Sequence, residues 1–196
     1  MNYLAHLYLA GDNTEALLGN LMGDFVKGHV DSSLTPTIQK GIALHRKIDA
    51  FTDANPLFRR SKQRLSPEVR RYGGILVDLF YDHFLARHWT HYATLPLRHF
   101  SQQVYGILLA NYEWLPYAMQ RSVSYMIRVD LLMSYREITG IERALQGVGR
   151  RLKRTNPLAG AAQELQRHYS ALAADFAAFF PELRSYVAQT KAGLHS

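Results

Sequence analysis

Apolar residues recur every three or four positions along most of the chain, a spacing that predicts amphipathic α-helices. One helix is predicted from Thr14, its N-cap, to about Lys27. Another should begin at Thr35-Pro36, a capping hydroxyl followed by proline, and should run to about Ala54. Further helices are predicted at Leu97–Tyr112, Pro116–Ser134, Thr139–Lys153 and Pro157–Phe180, where Pro181 should end the helix before a short terminal one.

The stretch Val77–Trp89 is apolar on all sides when it is drawn as a helix, so a largely buried central helix is predicted there. Ser66-Pro67 should cap and start this helix, with a loosened region at Gly73-Gly74. No strand-like alternation of useful length, no glycine-rich phosphate loop and no Gly-x-Ser-x-Gly motif is present. We therefore predict an all-α fold, a helical bundle in which residues 1–196 form a single domain.

Asp78 and Asp82 interrupt the central helix four residues apart, on the same side of its axis. Two buried carboxylates repel each other, and a buried, unpaired carboxylate costs several kcal/mol. A cation between them would remove this cost. A divalent metal ion and one or two arginine side chains are the two candidates that the residues leave open.

Other ionisable residues lie on stripes that also look buried. In the helix predicted from Thr35-Pro36 to Ala54, His45 and Asp49 continue the apolar face, and their spacing lets both reach one ion or lets the carboxylate orient the imidazole. Asp24 falls near the end of the helix predicted from Thr14, where the helix dipole disfavours an acid. His6 lies within the short apolar segment Asn2–Ala10, either as a hydrogen-bonded core residue or as part of a site.

Composition limits the chemistry. The chain contains no cysteine, so any metal must be bound by histidine and carboxylate side chains. The formal net charge of +7 predicts an acidic partner or substrate. The segment Phe58–Arg71 is strongly basic and is either a solvated surface or a docking surface. Its candidate partner-binding residues are Arg59, Arg60, Lys62 and Arg64.

The start of the chain is apolar but lacks a basic region, a cleavage site and the length to span a bilayer. We therefore expect a cytoplasmic protein that neither enters a membrane nor binds one.

Four blocks in the first half of the chain, MNYLAHLYLA, GNLMGDFVKG, GIALHRKIDAFTD and DLFYDHFLARHW, resemble the acyl carrier protein phosphodiesterase family. The resemblance implies a divergent HD-phosphohydrolase fold and a manganese-dependent enzyme, with Mg²⁺ as the second choice of ion. The implied reaction removes the 4′-phosphopantetheine arm from holo acyl carrier protein, an acidic protein, and leaves the apo form.

Carried onto this sequence, the resemblance implies a set of metal ligands: Asp24, His45, Asp78 and Asp82. Asp49, His83, Arg46 and His6 would support catalysis, with Asp49 or His83 accepting a proton from water and Arg46 holding the phosphate. The sequence departs from the HD superfamily in one respect. It has no His-Asp dipeptide, and its adjacent pair, Asp82-His83, has the reverse order.

Two other functions fit parts of the pattern. An HD-type nucleotidase or cyclic-nucleotide phosphodiesterase would use the same ion on a small phosphate ester. A helical nucleic-acid-binding domain would use the arginine-rich segments on backbone phosphates. The second reading gives no reason to bury Asp49, Asp78 and Asp82 together, so we expect no nucleic-acid partner.

Overall fold

The computed structural model describes residues 1–194, and within that range the chain forms helices and no β-strand. The predicted all-α fold is confirmed. The α-helices of this range are α1 (Tyr3–Ala10), α2 (Thr14–Met22), α3 (Pro36–Ala54), α4 (Pro56–Arg64), α5 (Pro67–Arg70), α6 (Gly73–Arg87), α7 (Leu97–Ala110), α8 (Tyr117–Arg128), α9 (Leu131–Ser134), α10 (Ile138–Arg151), α11 (Ala162–Arg167) and α12 (Tyr169–Leu194). Short 3₁₀ helices lie at Trp89–His91, Tyr112–Trp114 and Leu158–Gly160.

Helices α2 and α3 pack along much of their length because glycine lets their backbones touch. A Cβ atom at Gly19 would lie 2.3 Å from the carbonyl oxygen of Ile38, and one at Gly41 would lie 2.8 Å from that of Ala16. Neither contact can be tolerated, so both positions require glycine. This close crossing brings the middle of α3 beside the C-terminal end of α2.

Helices α1, α4, α10 and α12 pack against α6, which is buried from Leu79 to Ala86. Helix α1 packs against α2, α3 and α6, while α12 packs against α3, α4 and α6. Aromatic rings fill the space between α6 and α12, where Tyr81 and Phe84 contact Phe176. One hydrophobic core therefore holds the central helix in place from several directions.

The predicted bounds of α3 are confirmed, because Thr35 caps its start through Ile38 and the helix ends at Ala54. Helix α2 begins at Thr14 as predicted, but the N-cap and the end predicted for it are wrong. Asn13, one residue before Thr14, accepts the capping hydrogen bond from Ala16, and the helix stops at Met22.

The central helix starts later than predicted. Ser66 and Pro67 open the separate four-residue helix α5, and α6 begins at Gly73. The hydroxyl of Ser66 does not cap α5 but donates to Glu164 of α11 at 2.6 Å. Gly73-Gly74, which the sequence predicts as a loosened region inside the central helix, therefore lies at the start of α6.

Two further predictions at the C-terminal half are wrong. The segment 116–134 is divided at Asp130, whose left-handed φ of 46° separates α8 from α9. Pro181 lies inside α12 and does not end it. Phe180 and Leu183 are fully buried on the two sides of Pro181, and their packing outweighs the roughly 3 kcal/mol that an interior proline costs. Within residues 1–194, no helix combines the length and hydropathy that a membrane crossing needs.

Candidate metal centre

Four separate elements bring acids and histidines together at one place on the molecule. His6 comes from α1, Asp24 from the turn after α2, His45 and Asp49 from α3, and Asp78 from the first half of α6. The Asp49 carboxylate lies at the centre, 3.1 Å from Nε2 of His6 and 3.1 Å from Nε2 of His45. One donor atom from each of these three residues falls within 4.8 Å of the other two.

The two imidazole rings are stacked, with centroids 3.9 Å apart and planes inclined by 19°. Gly23 makes this position of His45 possible, because a Cβ atom there would lie 2.2 Å from Cγ of the ring. Both histidines are buried, whereas the side chain of Asp49 is 44% exposed. The cluster is therefore buried on the side of the two histidines and reachable from solvent through Asp49.

Two hydrogen bonds position the ring of His6. Its Nδ1 lies 3.0 Å from Oδ1 of Asn20, and its Nε2 lies 3.1 Å from Oδ1 of Asp49. Burial lowers the pKa of His6, and the nearby His45 lowers it further, although Asp49 acts in the opposite direction. Because the charged form of His6 is disfavoured, its Nε2 can bind an ion that also contacts Asp49.

Asp49 itself is held in the ionised form. Burial opposes ionisation, but contacts with His45, His6 and the Met1 amino group outweigh it and hold the pKa of Asp49 far below its usual range. The Met1 amino nitrogen lies 2.8 Å from Oδ1 of Asp78 and 3.6 Å from Oδ1 of Asp49. Burial alone would lower the pKa of this amino group, but the two carboxylates outweigh it and raise the pKa to about 10.

The residues fit a divalent ion. Two imidazoles and one ionised carboxylate are a common ligand set for first-row transition metals, with two further carboxylates close by. Nδ1 of His45 is buried and has no hydrogen-bond partner among residues 1–194, a state that costs about 1–3 kcal/mol. Asp24, whose side chain is 43% exposed, places Oδ1 3.7 Å from Nε2 of His45. A possible metal-binding group is therefore present at this site.

Asp82 lies one turn beyond Asp78 but has different partners. Its two carboxylate oxygens accept hydrogen bonds from the backbone amides of Leu4 and Ala5, at 2.7 and 3.1 Å. It thus caps the first turn of α1 from a neighbouring helix. Burial raises the pKa of Asp82 to about 7 despite the two amide donors.

His83 and Arg46, both predicted to act in catalysis, also contact other groups. Nδ1 of His83 donates to the carbonyl oxygen of Tyr135 at 2.9 Å, so its Nε2 accepts from the Tyr169 hydroxyl at 3.0 Å. Burial lowers the pKa of His83, in agreement with a neutral ring. Arg46 is exposed and donates to the carbonyl oxygen of Val26 at 3.0 Å.

The predicted partner-binding residues divide into two pairs. Arg60 and Arg64 both bind the buried carboxylate of Asp175, with Nε of each arginine 2.9 and 2.8 Å from an oxygen. Arg59 and Lys62 instead line an open basic cavity. Only the second pair is free to meet an acidic partner.

Sequence reasoning missed three contributors to the centre: Asn20, Gly23 and the Met1 amino group. The signal for Asn20 was present, because it is a polar residue on the buried stripe of α2 and such residues need a partner. The other two could not be found, since a glycine and a main-chain amino group carry no functional side chain.

The fold and the site together define a class: an all-helical protein with an interior histidine and carboxylate group suited to a divalent ion. A family model described as "Acyl carrier protein phosphodiesterase" matches residues 1–183. The chain belongs to the acyl carrier protein phosphodiesterase family.

Relatives named acyl carrier protein phosphodiesterase match over most of their length. The protein of Serratia proteamaculans (strain 568) is 37% identical over 184 residues, which are 93% of this chain and 95% of the relative. The protein of Yersinia pestis is 36% identical over 186 residues, with the same two coverages. That of Escherichia coli O6:H1 is 36% identical over 191 residues, again with 93% and 95% covered. No solved structure matches the chain.

Proposed function

We propose that this protein is a metal-dependent phosphodiesterase that hydrolyses the phosphodiester between 4′-phosphopantetheine and a serine of holo acyl carrier protein. The products are apo acyl carrier protein and free 4′-phosphopantetheine. Membership of the family and the names of its relatives support the substrate. The observation that carries the chemistry is the group formed by His6, His45 and Asp49, since a phosphodiester is hydrolysed readily beside a divalent ion.

The ligands that we propose are His6, His45 and Asp49, with Asp24 and Asp78 as neighbouring carboxylates. Two imidazoles beside carboxylates suit Mn²⁺ better than Mg²⁺, which favours oxygen ligands alone. When bound, the ion would neutralise charge on the phosphate and activate water. Asp82, which the sequence predicts as a ligand, is better explained as the cap of α1, because both of its oxygens already accept backbone hydrogen bonds.

The protein's own residues would share the remaining work. Asn20 holds the ring of His6 through Nδ1, so that Nε2 stays directed at the centre. Asp24, which is 43% exposed, places Oδ1 3.7 Å from Nε2 of His45, where it would accept the proton of an attacking water. His83 cannot take this role without losing its two hydrogen bonds, to Tyr135 and Tyr169. Arg46 would act indirectly, because it ties the loop that carries Asp24 to α3 through Val26.

Mass spectrometry of purified holo acyl carrier protein tests this proposal. The protein is first stripped with a chelator, and it is then assayed alone, with Mn²⁺ and with Mg²⁺. We expect the phosphopantetheine mass to be lost only with the ion, and faster with Mn²⁺. Asp49→Asn should abolish the loss, whereas Asp53→Asn, an exposed carboxylate one turn further along α3, should leave it intact.

An unchanged mass under all conditions, from a folded and metal-loaded sample, would reject the carrier-protein substrate. Nucleotides and cyclic nucleotides would then be assayed with the same protein. Hydrolysis of these, in the absence of any action on the carrier protein, would assign the site to the small phosphate esters that the sequence leaves as an alternative.

A further inference from the structure

A strongly basic concave surface lies where α4 meets the start of α6. It encloses about 380 Å³ and is lined by Arg59, Lys62, Gln63, Arg70, Arg71 and Gly74. We call this surface the basic cavity. Its lining contains four cationic side chains and no carboxylate. The cavity therefore carries a concentrated positive charge that its own residues do not neutralise.

Each cation of the basic cavity is held by a neutral group. Nε of Arg59 donates to the carbonyl oxygen of Asp53 at 3.1 Å, and Nε of Arg70 donates to that of Leu65 at 3.1 Å. The other two cations lie over aromatic rings: Lys62 over Phe58 at 5.1 Å, and Arg71 over Tyr72 at 5.2 Å. These contacts restrict the side chains but leave their charge available to a ligand.

The basic cavity differs in this respect from the neighbouring arginines. Arg60 and Arg64, on the same helix as Arg59, are ion-paired with Asp175. Within residues 1–194, none of the four cations that line the cavity lies within ion-pair distance of a carboxylate. The basic segment Phe58–Arg71 therefore contains two arginines in ion pairs, Arg60 and Arg64, and the four cations of the basic cavity, which have none within residues 1–194.

The basic cavity and the candidate metal centre lie next to each other along α6. Gly74 lines the cavity and Asp78 belongs to the centre, and the two residues lie four positions apart on one face of the helix. Both are reachable from solvent, whereas residues 79–86 are all buried. The distance between them along the helix axis is about 6 Å. A Cβ atom at Gly74 would meet no atom within 4 Å, so the path is open at this point.

The charge of the basic cavity indicates which side of the substrate it meets. The phosphodiester joins an acidic protein to a pantetheine arm that has no charge of its own beyond the phosphate. A cavity with four unpaired cations therefore complements the protein side and not the arm. We propose that the acidic surface of the carrier protein next to its modified serine docks in the basic cavity, which places the phosphodiester at the metal centre. This inference rests on the proposed function.

Binding of apo acyl carrier protein tests the docking separately from the chemistry, because the apo form has neither the arm nor the phosphate. The cavity variant is Arg59→Glu with Arg71→Glu. The matched control is Arg98→Glu with Arg143→Glu, two exposed arginines without an ion pair in residues 1–194 that give the same change in net charge. Thermal unfolding checks the folding of both, and Arg59→Gln with Arg71→Gln replaces the cavity variant if it does not fold.

We expect the cavity variant to bind apo carrier protein at least about tenfold more weakly than the unmodified chain, and the control variant to bind within about threefold of it. Added salt should weaken binding of the unmodified chain far more than that of the cavity variant. Equal weakening in both variants would overturn the proposal, since it would show an effect of net charge alone. Unchanged binding in the cavity variant would also overturn it.

A parallel titration with free 4′-phosphopantetheine separates a protein-docking surface from a phosphate subsite. Loss of affinity for this small molecule, with apo carrier protein still bound normally, would overturn the docking and assign the cavity to phosphate. The two proposals can fail independently. Weakened binding by the cavity variant supports docking even if no hydrolysis is found, whereas hydrolysis with unchanged binding supports the function and rejects the docking.

Discussion

Asp49 and Asp175 each gather several donors around one carboxylate, but the two surroundings differ. The side chain of Asp175 is 1% exposed and accepts hydrogen bonds from Arg60, Arg64 and Ser61. The side chain of Asp49 is 44% exposed and faces two imidazoles and the Met1 amino group. Arginine stays charged at any pH of interest, whereas an imidazole that faces Asp49 can release its proton and bind an ion instead.

The difference shows how one residue type serves two purposes. The donors of Asp175 are complete and permanent, so this carboxylate can only join α4 to α12. The donors of Asp49 can be exchanged, and one side of the carboxylate is open to solvent. Burial and charge alone do not distinguish a structural carboxylate from a reactive one, because the pKa values of both acids are lowered. The identity of the donors and the access of solvent distinguish them.

The largest expected effect comes from replacing Asp175. Asp175→Asn leaves Arg60 and Arg64 facing a neutral amide, and breaking a buried ion pair in this way should cost about 3 kcal/mol of unfolding free energy. The same isosteric change at Asp49 should cost less unfolding free energy than this, because that side chain is 44% exposed and solvent screens its contacts. Urea denaturation of the two variants checks both values. Equal losses of stability would erase the distinction between the two carboxylates.

The pH dependence of stability gives Asp175 a signature. Burial opposes its ionisation, but Arg64, Arg60 and Ser61 outweigh burial and lower the pKa of Asp175 below its usual range. A lowered pKa in the folded state means that the contribution of Asp175 to stability is present above about pH 4 and is lost as the pH falls through the folded-state pKa. The stability difference between the unmodified chain and Asp175→Asn should therefore shrink at acid pH.

A smaller effect is expected from the packing that supports the metal centre. Gly23→Ala adds a methyl group that would lie 2.2 Å from the His45 ring, so the ring must move away from Asp49. We expect the rate of carrier-protein hydrolysis to fall about 10- to 100-fold, the usual cost of disturbing groups that orient metal ligands. Gly160→Ala, where the added methyl group meets no atom within 4 Å, is the matched control. Full activity of Gly23→Ala would show that the position of His45 is not important.

Much of the site was readable from the sequence because helical periodicity places side chains on faces. The spacing of His45 and Asp49 on the apolar stripe of α3 correctly predicted that both face one place, and the structure brings Asp24 and Asp78 there as well. For Asp82, periodicity could not show the hydrogen-bond partners. Asp82 shares a side of α6 with Asp78, yet only the three-dimensional position of α1 shows that unpaired amides point at it.

Long-range pairing explains the other differences. The partner of Arg60 and Arg64 is Asp175, more than 100 residues away in the sequence, so the basic segment could not be divided into paired and unpaired cations beforehand. Pro181 likewise favours a helix end, but the helix continues through it because Phe180 and Leu183 are buried. In each case a contact between distant elements decided the outcome, and neither propensity nor spacing contains that information.

Asp82 provides the finest test of the comparison, because it is buried like Asp175 but is bound only by backbone amides. Asp82→Asn keeps one acceptor for the amides of Leu4 and Ala5, and it should cost about 1–2 kcal/mol near pH 5. The pKa of Asp82 is raised to about 7 in the folded protein, so ionisation of this carboxyl removes stability as the pH rises from about 4 through 7. The stability difference between the unmodified chain and Asp82→Asn should therefore shrink as the pH rises, the reverse of the trend for Asp175→Asn.

Urea denaturation at pH 5 and pH 8 measures this stability difference for Asp82→Asn, with Mn²⁺-dependent hydrolysis assayed in parallel. Unchanged stability together with a complete loss of hydrolysis would return Asp82 to the metal ligands, as the sequence alone suggests.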